Sequence, residues 1–229
     1  GWGPFGRKSF ALDEAIVKAA REAVTSESLL MVDAGGSDAF WKQDYKWALR
    51  TAQMLAAYDV AWFEEPLKPD ALDAYVRLRQ AAPVPIAGGE VLTRRQSFQP
   101  YLRAGAFDVV QPDVTKVGGI SEERRIAWMA REHGVRFIPH GWNTAIGLAA
   151  DLQLTAAMPV ASYVEFITPS PYVDELLATP FRLDGEGMLA IPSGPGLGIE
   201  LDEEALADKI GHDWENPQSY HPDDGSVVD

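Results

Sequence analysis

Six side chains able to carry a proton or ligate a cation close six successive apolar runs of this chain. They are Asp33 after LLMV, Glu64 in VAWFEEP, Glu90 after VPIAGG, Asp113 in VVQPDV, His140 after VRFIP and Glu165 in SYVEF. The intervals between them are 31, 26, 23, 27 and 25 residues. Each interval suits one strand and one helix. Brought to one face, so many acids would repel one another unless a cation or shared protons offset their charge. The pattern therefore predicts a metal-dependent active site.

The intervening segments are of the kind needed to position such a site. Residues 11–24 place Leu12, Ala15, Ile16, Ala19, Ala20 and Ala23 at helical spacing. Residues 42–57 read as a second helix. Asp70 is expected to cap the helix of ALDAYVRLRQAA, which Pro83 and Pro85 stop, and Thr93 to cap RRQSFQPYLRAG, with Pro100 as a local disturbance. Ser121 and Glu122–Glu123 form the acidic start of SEERRIAWMAREHG, and a last helix covers 144–158. Strands and helices alternate six times in one order, and the strands are continuous apolar runs, as when both faces are buried. This predicts an α/β fold: the C-terminal part of a TIM-type (β/α) barrel, strands three to eight, with the first two strands expected upstream of Gly1. Barrel enzymes do their chemistry on the face formed by the strand C-termini, where all six residues would lie. Residues 1–170 are expected to form the barrel portion. Residues 171–229, rich in Gly and Pro, are expected to be an extension with short strands, a packing helix and a polar tail that contains His212 and His221.

Composition narrows the function further. The net charge of −14 argues against nucleic acid and anionic membranes as partners. With no cysteine, disulfides and zinc–thiolate sites are excluded. No apolar run approaches the ~20 residues of a membrane span. A cytoplasmic enzyme is the default expectation.

Together, Asp33, Glu64 in FEEP, Glu90 in GGE, Asp113 in QPDVTKVGGI, His140 and Glu165 resemble the enolase superfamily, and within it the mandelate racemase-like subgroup. The resemblance covers about residues 1–200. It implies that Asp33, Glu64 and Glu90 bind Mg²⁺, which favours carboxylate oxygens and leaves positions open for substrate. Side chains alternate along a strand, so one of Glu64 and Glu65 should face the ion. The resemblance selects Glu64 and leaves Glu65 as a supporting or packing group, or a salt-bridge partner. It implies a His–Asp dyad of His140 and Asp113, in which the aspartate fixes the imidazole tautomer. Lys116 falls beyond the strand end and is not taken as an acid–base lysine. Glu165 resembles a last-strand glutamate that hydrogen-bonds the substrate carboxylate. The resemblance also implies a capping domain, and both it and the subgroup's Lys-x-Lys pair would precede Gly1. The implied reaction is removal of the proton α to a carboxylate, expected as dehydration of an acid sugar to a 2-keto-3-deoxy acid. The alternatives are racemisation or epimerisation of a 2-hydroxy acid, or a non-catalytic metal-binding fragment. Homo-oligomers are expected, as is common in the family.

Overall fold

The computed structural model describes residues 3–159 and 161–209. The polar tail with His212 and His221 lies outside the described residues. The chain forms two compact units, Gly1–His140 with Met158–Tyr163, and Gly141–Ala157 with Val164–Asp229.

The first unit alternates helices and strands. Phe10–Ala23 (α1) begins after Ser9, whose hydroxyl accepts from the Leu12 amide at 3.2 Å. Leu30–Asp33 (β1) leads to Tyr45–Ala56 (α2), where Asp44 accepts from the amides of Lys46 and Trp47. Each cap satisfies amide donors that the first helical turn leaves unpaired. Val60–Glu64 (β2), Leu72–Ala81 (α3), Ile86–Gly88 (β3) and Arg94–Ala104 (α4) follow. Val109–Val110 (β4), the short Val114–Val117 (α5), Ile120–Glu132 (α6) and Arg136–Phe137 (β5) complete the series. The helix α4 runs on through Pro100.

Three helix starts differ from expectation. Asp70 does not cap α3; Ala71 holds the cap position, without a side-chain bond. Asp70 stands one residue ahead of the place from which a side chain reaches the first free amides. Thr93 occupies the cap position of α4 but makes no capping bond. The Arg95 amide it would serve is taken by Glu122 Oε1 at 3.0 Å. The helix α6 starts at Ile120 with Gly119 as its cap, so Ser121 lies inside its first turn.

The strands form one parallel sheet in the order β1-β2-β3-β4-β5. Residues in register across parallel strands share a face. One such row is Asp33, Glu64, Ala87, Val109 and Arg136, with Met31 beside Trp62 below it. Trp62, Ala87, Val109 and Ile138 pack as one buried cluster with Met31. Asp33 and Glu64 therefore extend the face of that cluster at its carboxyl end. The opposite face carries Phe63, Ile86, Val110 and Phe137, all fully buried, and the Phe63 ring lies 5.9 Å from Trp47 of α2. Two buried faces account for the continuous apolar strands.

The sixth strand expected at SYVEF is not formed among the described residues. Its segment contributes one parallel bridge, Phe137 to Ala161. The preceding strand offers only a two-residue ladder, and Val164 and Phe166 pack instead on an apolar cluster of the second unit. That unit is built on Ala145–Ala157 (α7), whose Ala145, Leu148, Ala149 and Leu152 pack with Val173, Leu176, Leu177 and Phe181. Pro171–Asp174 (α8), antiparallel bridges Leu177–Leu201 and Leu183–Leu189, and Glu203–Lys209 (α9) complete it. No helix among the described residues is long and apolar enough to cross a membrane.

Candidate active site

The site of the first unit is built where its strands end. His140 lies two residues beyond Ile138, hence on the same inner face, and its amide donates to Pro112 O at 3.0 Å. The imidazole is buried and its Nδ1 lies 2.8 Å from Asp113 Oδ2. Asp113 is wholly buried. Its other oxygen, Oδ1, accepts from the Thr115 amide at 2.7 Å and the Thr115 hydroxyl at 2.6 Å. The same contacts make Asp113 the cap of α5. Burial works against ionisation of Asp113, but the hydrogen bonds from His140 and Thr115 together outweigh it and hold the carboxyl below its ordinary value. An ionised Asp113 accepts the Nδ1 proton, so in the neutral ring Nε2 is the nitrogen able to take one.

Glu90 meets that second nitrogen: its Oε2 lies 3.2 Å from His140 Nε2. Its Oε1 accepts from the Ser37 hydroxyl at 3.2 Å and lies 3.9 Å from Lys116 Nζ, which is equally far from Asp113 Oδ2. Glu90, His140 and Asp113 are thus brought together, with Lys116 beside both acids. Ser37 and Thr115 carried no periodic signal in the sequence. Asp113-x-Thr115 could have been recognised as a side chain that caps the amide two residues on.

Asp33 and Glu64 stand side by side in register on the two neighbouring strands. Asp33 Oδ1 accepts from the Gly35 amide at 2.7 Å, and Glu64 Oε2 from Trp62 Nε1 at 3.3 Å. Glu65 turns the other way and is buried, with Oε2 accepting from the Ser37 amide at 3.1 Å. Burial first, and then the nearby Glu90, push its carboxyl up to about 8. Asp33 is raised as well, by desolvation first with Glu90 adding to it, although the residue keeps an exposed surface. Both shifts arise first from burial, and the gathering of acids with too little positive charge among them adds to it.

That condition tests the fit of a divalent cation. Three carboxylates end three adjacent strands, and a hard cation prefers such oxygens. In donor chemistry and strand placement, Asp33, Glu64 and Glu90 fit. Their side chains as they stand do not close on one point: among the described residues, no three acid or imidazole groups come together closely enough to ligate a single ion.

Glu165 belongs to the second unit, where its Oε2 accepts from the Gly141 amide at 2.6 Å. A Cβ on Gly141 would lie 2.5 Å from Glu165 O, so glycine is required for this approach.

Residues 2–205 match the family model of enolase C-terminal domain-like proteins. The chain is 38% identical over 205 residues to the D-galactarolactone cycloisomerase of Agrobacterium fabrum, a match covering 86% of this chain and 53% of that protein. It is 34% identical over 196 residues to the arabinonate dehydratase of Saccharolobus solfataricus, covering 86% and 51% respectively. Among solved structures, it is similar to an enolase from Bradyrhizobium complexed with magnesium and mandelic acid. The TM-score is 0.76 at 29% identity, over 89% of this chain and 52% of that one. The chain spans about half the length of the relatives it matches. On these grounds the chain belongs to the enolase C-terminal domain-like family, in the mandelate racemase-like part of the enolase superfamily.

Proposed function

We propose that this chain supplies the acid–base residues of an enzyme that removes the proton α to a carboxylate, and that the reaction is dehydration of an acid sugar to a 2-keto-3-deoxy acid. The observation that carries this reading is the buried Asp113–His140 pair, which leaves Nε2 as the proton-accepting atom. Asp33, Glu64 and Glu90 would hold a magnesium ion, which when bound supplies positive charge against the charge that builds on the substrate carboxylate.

Asp113 holds the imidazole in one tautomer and orientation, and stabilises it when Nε2 gains a proton. As base, His140 Nε2 takes the α-proton, and the electron pair of the C–H bond passes into the enolate. In the alternative role a base on the opposite face takes the α-proton and protonated Nε2 is the acid: the enolate's pair forms the Cα–Cβ double bond as the C–O bond breaks, and the β-hydroxyl takes the Nε2 proton and leaves as water. Thr115 fixes Asp113 from its other oxygen. Glu165 is assigned to the substrate carboxylate on the family resemblance. The dehydratase reading draws on the arabinonate dehydratase relative. An isomerase using the same residues is the second reading, favoured by the cycloisomerase at 38% identity.

Proton NMR of pooled acid sugars with the full-length protein and Mg²⁺ tests the reaction type. New methylene signals of a 2-keto-3-deoxy acid are expected. Rearranged or epimerised products without them would replace dehydration by the isomerase reading.

A further inference from the structure

The segment after β1, Ala34-Gly35-Gly36-Ser37, is pinned to the end of β2 by its backbone. The Gly36 amide donates to Glu65 O at 2.8 Å. A Cβ on Gly36 would lie 2.3 Å from that same oxygen and 2.4 Å from Leu67 O. The next amide, that of Ser37, donates to the buried Glu65 carboxyl at 3.1 Å. Two consecutive bonds to one residue fix the position of Ser37. Its side chain is then left to reach sideways, and its hydroxyl donates to Glu90 Oε1 at 3.2 Å, across to the end of β3.

We propose that Ser37 is a positioning residue for Glu90, holding one carboxylate oxygen so that the other, now 3.2 Å from His140 Nε2, is the one that would ligate the cation. This rests on the proposal that Glu90 is a ligand of that cation. A free glutamate side chain has three rotatable bonds and two equivalent oxygens. A donor anchored on a rigid turn selects one arrangement, which is how groups outside the ligand set tune a metal site. Lys116 Nζ, 3.9 Å from the same oxygen, adds charge but is too distant for a directed hydrogen bond. Ser37 is therefore the group that fixes this oxygen, while His140 Nε2 faces the other. Glu65 acts through it, by fixing the Ser37 amide.

The test is magnesium titration by calorimetry of the full-length protein, comparing wild type, Ser37→Ala, Ser37→Thr and Glu90→Gln, with thermal melts of each in EDTA. Ser37→Ala should bind Mg²⁺ about 10- to 100-fold more weakly, with an unchanged melt. Ser37→Thr, which keeps the hydroxyl, should bind within about three-fold of wild type. Wild-type affinity in Ser37→Ala alongside lost affinity in Glu90→Gln would overturn the role of Ser37 and leave the metal site standing. Wild-type affinity in Glu90→Gln would overturn the metal site itself, and the role of Ser37 with it.

Discussion

His140 Nδ1 and Asp113 Oδ2 are 2.8 Å apart, and both residues are buried. The bond joins the ends of consecutive strand segments, 27 residues apart in the chain. It is held at its far side by Thr115, so that Asp113 accepts three hydrogen bonds within one buried carboxylate.

Replacing Asp113 with asparagine keeps the shape and removes the charge that fixes the tautomer. Turnover should fall about 10³- to 10⁴-fold, measured by steady-state kinetics in the full-length enzyme. Stability carries a second signature. The Asp113 carboxyl is held below its ordinary value in the folded protein, so its contribution is present at neutral pH and lost as pH falls through the folded value. The gap in melting temperature between wild type and Asp113→Asn should therefore narrow on acidification, and a gap independent of pH would contradict the assignment.

Thr115→Val removes one of the three bonds to Asp113 while leaving the backbone donor. A hydrogen bond to a charged group is worth about 1.5–3 kcal/mol. Turnover should drop roughly ten-fold, and Thr115→Ser should restore most of it. Equal losses in both variants would mean that packing, not the hydroxyl, is what matters.

Gly141→Ala would force a Cβ to within 2.5 Å of Glu165 O, against backbone that has no rotamer to change. The strain should cost about 1–3 kcal/mol, read as a lower midpoint in urea. It should also break the 2.6 Å bond from the Gly141 amide to Glu165. A midpoint equal to wild type would show that the close approach is relieved without strain.

Glu65 predicts the opposite pH trend from Asp113. Its carboxyl is pushed up to about 8, so folding favours the protonated form. That contribution is complete below the unfolded value near 4.5 and is lost as pH rises through about 8. Glu65→Gln mimics the protonated acid. In EDTA it should melt together with wild type near pH 4, in order-of-magnitude terms, and about 5 °C higher near pH 9. A lower melt at both values would show that Glu65 is buried ionised.

Much of the fold is legible because burial on both faces leaves strands apolar and helices amphipathic. The run before His140 and the run before Asp113 are visible for that reason, and adjacent parallel strands must bring their ends together. SYVEF is misleading on the same grounds. Its Tyr163 is exposed, and Val164 and Phe166 are partly buried against the α7 cluster, not in a strand ladder. Helix starts are the least legible, because a cap depends on which group arrives first. Thr93 has the right chemistry, yet Glu122, 27 residues from Arg95, takes the Arg95 amide. Ser37 was out of reach for a related reason. Loop side chains have no periodicity, and only the folded turn places Ser37 beside Glu90.

The most direct measurement is α-proton exchange by NMR in D₂O, with Mg²⁺, on the substrate found by the product screen, for wild type and His140→Asn of the full-length enzyme. Exchange or turnover of the α-proton in wild type should be lost by at least about 10³-fold in His140→Asn, while calorimetric Mg²⁺ affinity stays close to wild type. Undiminished loss of the α-proton in His140→Asn would contradict the assignment of His140 as the group that moves the proton.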